Sequence, residues 1–166
     1  MSVTDHKREQ FQAKVMVLTI SDTRTMDTDT SGQKMIQLIE QSQHHIEVYE
    51  IVRDEPALIE QAIRKGCENP QIQVILMNGG TGISKRDVTF DILQTLIEKP
   101  IPGFGELFRM LSFAEIGSAA MLSRATAGIV QQTAIFSTPG STGAVTLAME
   151  KLILPELSHI VFELNK

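Results

Sequence analysis

Apolar residues recur along the chain in two rhythms. Short, largely apolar runs at Lys14–Ile20 (KVMVLTI), about Ile46–Val52, Gln73–Met77 and Gln132–Ser137 read as strands, the central ones buried on both faces. Between them, apolar residues return every three or four positions, the period of amphipathic helices. Met35, Leu38, Ile39 and Ser42 form the stripe of a helix from about Ser31 to Gln43. Leu58, Ile59, Ala62 and Ile63 form that of a helix opened by Pro56 and stopped near Gly66. Ile92, Leu93, Leu96 and Ile97 belong to a helix capped by Thr89 and ended before Pro100.

Further on, two prolines and two glycines over 100–105 predict an irregular turn, followed by a helical stripe of Leu107, Met110 and Leu111. The small residues Gly117, Ser118, Ala119 and Ala120 suit close packing, including against another subunit. A helix from Ser141 through Lys151 turns Val145, Ala148, Met149 and Leu152 inward, and Pro155 opens a last helical piece to Leu164. Strands alternating with helices predict an α/β fold: three layers, α/β/α, Rossmann-like, with a mostly parallel sheet and right-handed crossovers. Residues 1–13 read as a mobile arm or a turn docked on a neighbour, and 14–166 as a single domain.

Composition narrows the function. The 166 residues suffice for one domain with a sizeable core. A net charge of −5 argues against a nucleic-acid partner, which calls for a basic surface. The single cysteine, Cys67, excludes an internal disulfide and fits a reducing compartment. The polar start MSVTDHKREQFQAK lacks the apolar stretch of a signal peptide, and no run reaches membrane-spanning length, so the expected location is the cytoplasm, away from membranes.

The candidate chemistry collects where strands end. Ser21-Asp22, Arg53-Asp54, Asn78-Gly79-Gly80-Thr81-Gly82 and Thr138-Pro139-Gly140-Ser141 each follow a predicted strand, and ligands of open parallel sheets bind at the strands' carboxyl ends. Glycines let amide N–H groups converge on one point, so the Gly79–Gly82 and Pro139–Ser141 turns suit phosphate. Lys85 and Arg86 add positive charge. Asp22, Asp54 and Asp87 stand close by, a combination that makes sense when a magnesium ion bridges carboxylate and phosphate. Asp29 and Ser31 suit helix capping. The Gly79 turn is neither GxxxxGK[ST] nor GxGxxG, and no GxSxG occurs, so a P-loop, a dinucleotide site and a serine nucleophile lose support. The residues alone point to a domain that binds a phosphorylated small molecule and could transfer a nucleotidyl group.

Five ordered motifs then carry a resemblance: Asn78-Gly-Gly-Thr-Gly82, Lys85-Arg86-Asp87-Val88-Thr89, Pro102-Gly-Phe-Gly-Glu106, Leu122-Ser-Arg-Ala125 with Ala127-Gly128, and Pro139-Gly-Ser141. Together, over about residues 14–160, they resemble the molybdenum-cofactor biosynthesis domain, a family that includes molybdopterin adenylyltransferases and the G domain of gephyrin-type proteins. The resemblance implies adenylylation of molybdopterin by magnesium-ATP, with release of pyrophosphate. Asp54 and Asp87 match the acidic positions tied to catalysis and magnesium. Gly79 to Gly82 and Ser141 match the phosphate-holding loops, and Ser21-Asp22 the polar end of the first strand. Ser141-Thr142 stands where the adenylyltransferases commonly have Asn-Pro, which resembles one branch of the family. Trimers, or dimers of trimers, are implied as well, with the oligomer a conceivable docking platform for enzymes of the pathway. A protein that binds molybdopterin or nucleotide without turnover is the competing expectation.

Overall fold

The computed structural model describes residues 11–166. A six-stranded sheet runs β2-β1-β3-β6-β5-β4, formed by β1 (Lys14–Ile20), β2 (His45–Val52), β3 (Val74–Asn78), β4 (Lys99–Pro100), β5 (Thr126–Val130) and β6 (Thr133–Thr138). The four strands foreseen from the sequence are mutually parallel neighbours, β2-β1-β3-β6. The other two add an antiparallel edge.

Alternation along the strands feeds two cores. Val15 and Val17 of β1 and Val74 and Leu76 of β3 face α1 (Thr30–Glu40), α4 (Pro102–Ile116), α5 (Thr142–Ala148) and α6 (Leu154–Leu164). Met16, Leu18 and Ile20, with Ile75 and Met77, face α2 (Pro56–Glu68) and α3 (Thr89–Leu96). Helices on both faces bury the central strands completely, and the three-layer reading holds.

Several boundaries move, each for a local reason. Gly66 does not stop α2, which continues to Glu68; a Cβ there would stand 2.8 Å from both Ile75 Cδ1 and Met16 Sδ, so the glycine lets helix and sheet approach. Leu58 is 37% exposed rather than buried. Thr89 is the first residue of α3, not its cap, and its hydroxyl donates to the Gly79 carbonyl at 3.3 Å. The expected irregular turn over 100–105 is instead β4 running into α4, which starts at Pro102, a residue suited to a first helical turn. The buried stripe accordingly becomes Phe104, Gly105, Phe108 and Ser112, while Leu107 and Met110 are 47% and 60% exposed. A 3₁₀ turn, Gly117–Leu122, follows α4.

β5 escapes pattern reading because Gly128 interrupts it; a Cβ at Gly128 would lie 2.4 Å from Ile97 Cγ2, so the edge strand needs the glycine. The helix after Ser141 stays α-helical only to Ala148, then passes through a π turn, Met149–Ile153, in which the Leu154 N–H donates to the Met149 carbonyl. Pro155 has no N–H and its ring clashes with the carbonyl four residues earlier, which accounts for the wider turn. Of the expected N-terminal arm, residues 1–10 lie outside the described residues. Phe11 packs on Phe162, ring centroids 5.4 Å apart, and the Ala13 N–H donates to His44 Nδ1 at 3.0 Å.

Candidate functional site

Strand order places the site. β2 and β3 flank β1 on opposite sides, so the chain reverses direction across the sheet between β1 and β3, the usual place for a crevice at the carboxyl ends. The Gly79–Gly82 turn leaves β3 there, and the Pro139–Ser141 turn leaves the neighbouring β6. The two turns touch: the Gly79 N–H donates to the Thr138 carbonyl at 3.0 Å, and a Cβ on Gly140 would sit 3.3 Å from Gly79 Cα.

Gly79 and Gly80 hold φ of +99° and +69°, values that favour glycine. At Gly79 a side chain would also collide with the Ile20 carbonyl, 2.1 Å from its Cβ position. No acceptor among the described residues takes the N–H groups of Gly80, Thr81 and Gly82. These two turns form one wall of a cavity of about 390 Å³. Asp87 shares that wall. The opposite wall comes from α4 and the 3₁₀ turn through Phe108, Ser112, Ile116, Ala119 and Leu122. Amides on one side and an apolar face on the other suit a ligand with a phosphate group and a flat ring.

The acidic residues converge on the glycine turn. Asp54 Oδ1 lies 3.2 Å from the Cβ position of Gly80, and Asp87 Oδ2 lies 2.7 Å from that of Gly82. Asp54 does not cap α2; Glu55 occupies the cap position. Burial, together with the charges of Asp22 and Asp87, pushes the Asp54 carboxyl above the ordinary carboxylate range. Asp22 behaves in the opposite way. Arg86 clasps it with two hydrogen bonds, of 3.0 and 2.7 Å, and holds its carboxyl below the usual value. Asp22 also accepts from the Asp54 N–H at 3.1 Å, so it ties two strand ends together. Asp87 accepts from both the N–H and hydroxyl of Ser84, at 3.1 and 2.6 Å, which fixes its carboxylate at the loop.

Among the described residues no set of three His, Cys, Asp or Glu could hold a metal by itself. Asp54 and Asp87 fit a cation shared with ligand oxygens, the way magnesium is commonly held, and the excess of negative charge around Asp54 is what such an ion would relieve.

The remaining expected site residues divide. Lys85 stands exposed, and Thr81 is buried beside the cavity. Asn78 faces inward: its Nδ2 donates to Thr19 Oγ1 at 2.9 Å, so it reaches the rim only through its backbone. The Ser21 hydroxyl accepts the N–H groups of Thr23 and Arg24, at 3.2 and 3.0 Å, and shapes its own loop. Ser141 caps α5 by accepting from the Ala144 N–H at 3.2 Å. Asp29 is a cap as expected, accepting from the Gly32 N–H. Ser31 is not, since its hydroxyl donates to the Gly140 carbonyl at 2.5 Å and braces the second turn.

Two contributions were not among the expected site residues. Arg124 grips the glycine loop from behind, donating to the Gly82 carbonyl at 3.0 Å and the Asp87 carbonyl at 2.5 Å. In the sequence it stood only as part of the motif Leu122-Ser-Arg-Ala125, with no role attached to it. The apolar wall was hidden by the misplaced start of α4; the period-four series Phe104, Phe108, Ser112 would have disclosed it.

Comparison with known proteins gives the family. The family description "Probable molybdopterin binding domain" matches residues 16–159. Molybdenum cofactor biosynthesis protein B of Bacillus subtilis is 55% identical over 168 residues, covering 100% of this chain and 99% of that protein. A crystal structure of a molybdenum cofactor biosynthesis protein B superposes with a TM-score of 0.91 at 52% identity, covering 93% of this chain and 97% of that one. The tungsten cofactor synthesizing protein MoaB of Pyrococcus furiosus gives 0.83 at 33% identity, covering 93% and 98%. With a six-stranded sheet, two adjoining amide turns and this degree of likeness along its whole length, the chain belongs to the molybdenum-cofactor biosynthesis domain family, among the proteins called molybdenum cofactor biosynthesis protein B.

Proposed function

We propose that the protein acts in molybdenum cofactor biosynthesis as a molybdopterin adenylyltransferase. The observation that carries this reading is the contact between the two glycine turns, with Asp54 and Asp87 at the same rim. The family name supports the pterin ligand, and a relative from Thermus thermophilus, 30% identical, is called a molybdopterin biosynthesis enzyme. In the reaction a terminal phosphate oxygen of molybdopterin attacks the α-phosphorus of ATP. A new P–O bond forms as the bond to the pyrophosphate oxygen breaks, and pyrophosphate leaves with the electron pair.

The chain's part is to orient and stabilise. Amides of Gly80, Thr81 and Gly82 donate to phosphate oxygens, and the Phe108–Leu122 wall excludes water from one face of a ring. Asp54 and Asp87 would hold magnesium against the triphosphate, where the ion offsets charge gathering on the departing group. A second copy of the chain would cover the apolar band of Met110, Phe113, Ile116 and Met121, which are 60%, 62%, 60% and 77% exposed, and of which Ile116 lines the cavity. Such contacts would build the expected trimer or dimer of trimers, and sedimentation at the mass of one chain would remove that part of the reading.

The test is release of pyrophosphate on mixing the protein with molybdopterin, ATP and magnesium. Asp87→Asn keeps an acceptor for Ser84 but removes the charge, and should lower turnover about 100-fold or more with little loss of ATP affinity. Pterin binding without any pyrophosphate, even at high protein concentration, would replace the enzyme by a carrier.

A further inference from the structure

We propose that Arg109 is a positioning residue: acting through Arg124, it keeps the amides of the glycine turn facing the ligand. The inference rests on the reading of that turn as a phosphate holder. In a trans peptide the carbonyl and the following N–H point in opposite directions, so a turn can present amides only if its carbonyls are held elsewhere. Arg124 holds two of them, and a third carbonyl just beyond the turn. Its backbone N–H donates to the Thr81 carbonyl at 2.9 Å, Nε to Gly82 at 3.0 Å and Nη2 to Asp87 at 2.5 Å. The N–H of Gly82, one of the three amides at the cavity, is thereby turned the other way.

Arg124 is itself held. Arg109 Nη1 donates to the carbonyls of Ala125, at 2.9 Å, and Ser123, at 3.3 Å, the residues on either side of Arg124. Its guanidinium is half-buried and pairs with no carboxylate among the described residues, so main-chain carbonyls are its partners. Gly105 makes room for it. A Cβ there would stand 2.6 Å from Arg109 Nη2 and 2.9 Å from the Ala125 carbonyl. Glycine within a helix costs about 1 kcal/mol relative to alanine, and here that cost admits the guanidinium. Arg109 does not line the cavity.

Calorimetric binding of inorganic pyrophosphate reads this chain of contacts. Arg109→Met should weaken binding roughly tenfold, in proportion to one lost charge-assisted hydrogen-bonding group. The double variant Arg109→Met/Arg124→Met should bind no more weakly than Arg124→Met alone, because both act on one element. Gly105→Ala, which displaces the guanidinium without removing it, should move affinity the same way and provides a second arm if Arg109→Met folds poorly. Amide hydrogen exchange should quicken at Arg124, whose N–H donates to the Thr81 carbonyl, but not in β3. Unchanged affinity, effects that multiply in the double variant, or faster exchange throughout β3 would overturn the positioning role and leave the phosphate reading standing. Absence of pyrophosphate binding by the unaltered protein would overturn both.

Discussion

Replacing Asp29 by alanine separates a buried scaffold from the chemistry above it. Asp29 is fully buried and accepts from Thr19 Oγ1 at 2.6 Å, Tyr49 Oη at 2.5 Å and the Gly32 N–H at 3.0 Å. Thr19 in turn accepts from Asn78, the last residue of β3 before the glycine turn. Alanine removes the helix cap, worth about 1 kcal/mol. It also strands the Thr19 hydroxyl, whose residue is 1% exposed, and the Tyr49 hydroxyl, at about 1–3 kcal/mol for a buried donor, less for half-buried Tyr49 because water can reach it. Together these amount to roughly 3–5 kcal/mol, a large part of a typical domain's stability of about 5–15 kcal/mol. At about 2–4 °C per kcal/mol for a chain of this length, calorimetry should show a midpoint lowered by roughly 6–20 °C.

Tyr49→Phe removes one donor and leaves two, so its fall should be only a few degrees. Burial and the neighbouring Asp29 also raise the Tyr49 ionisation above its usual value. The unfolded chain therefore loses this proton first, and the stability tied to it is present below about pH 10 and lost as pH rises beyond; Tyr49→Phe should flatten that loss. A midpoint for Asp29→Ala within about 3 °C of the unaltered protein, with turnover abolished, would refute this reasoning and move Asp29 into the site.

Asp54→Asn should stabilise the protein while impairing it. A carboxyl whose folded pKa is raised favours folding below its unfolded value, near pH 4, and that contribution is lost as pH rises through the folded pKa, so the variant's higher midpoint at pH 7 should vanish in acid. Gly79→Ala places a Cβ against the Ile20 carbonyl at a φ of +99°, and should cost more than about 3 kcal/mol, seen as loss of soluble, cooperatively melting protein.

What pattern alone disclosed depended on whether the physics was local. The central strands β1, β3 and β6 were legible because burial on both faces leaves unbroken apolar runs, edge strand β2 (HIEVYEIV) by its remaining apolar residues, and the four ends delivered Asp22, Asp54, the Gly79 turn and the Gly140 turn to one rim. β4 was not legible, since Lys99-Pro100 is too short to carry a period, and Gly128 in β5 answers to Ile97 across space. Thr89 resembles a cap in sequence but serves the Gly79 carbonyl, because tertiary proximity gave its hydroxyl a better acceptor. The roles of Arg124 and Arg109 were hidden for the same reason: half-buried cations bonded to distant main chain leave no spacing to detect.

The helical run from Thr142 to Leu164 begins at the crevice and ends beside Phe11, so both described chain ends share the pole opposite the ligand rim. With about 1.5 Å of rise per residue, the run holds them on the order of 30 Å from the crevice. An affinity handle or surface tether attached after the last helix would start clear of the crevice, which suits the protein to immobilised ligand-capture measurements without rebuilding any loop.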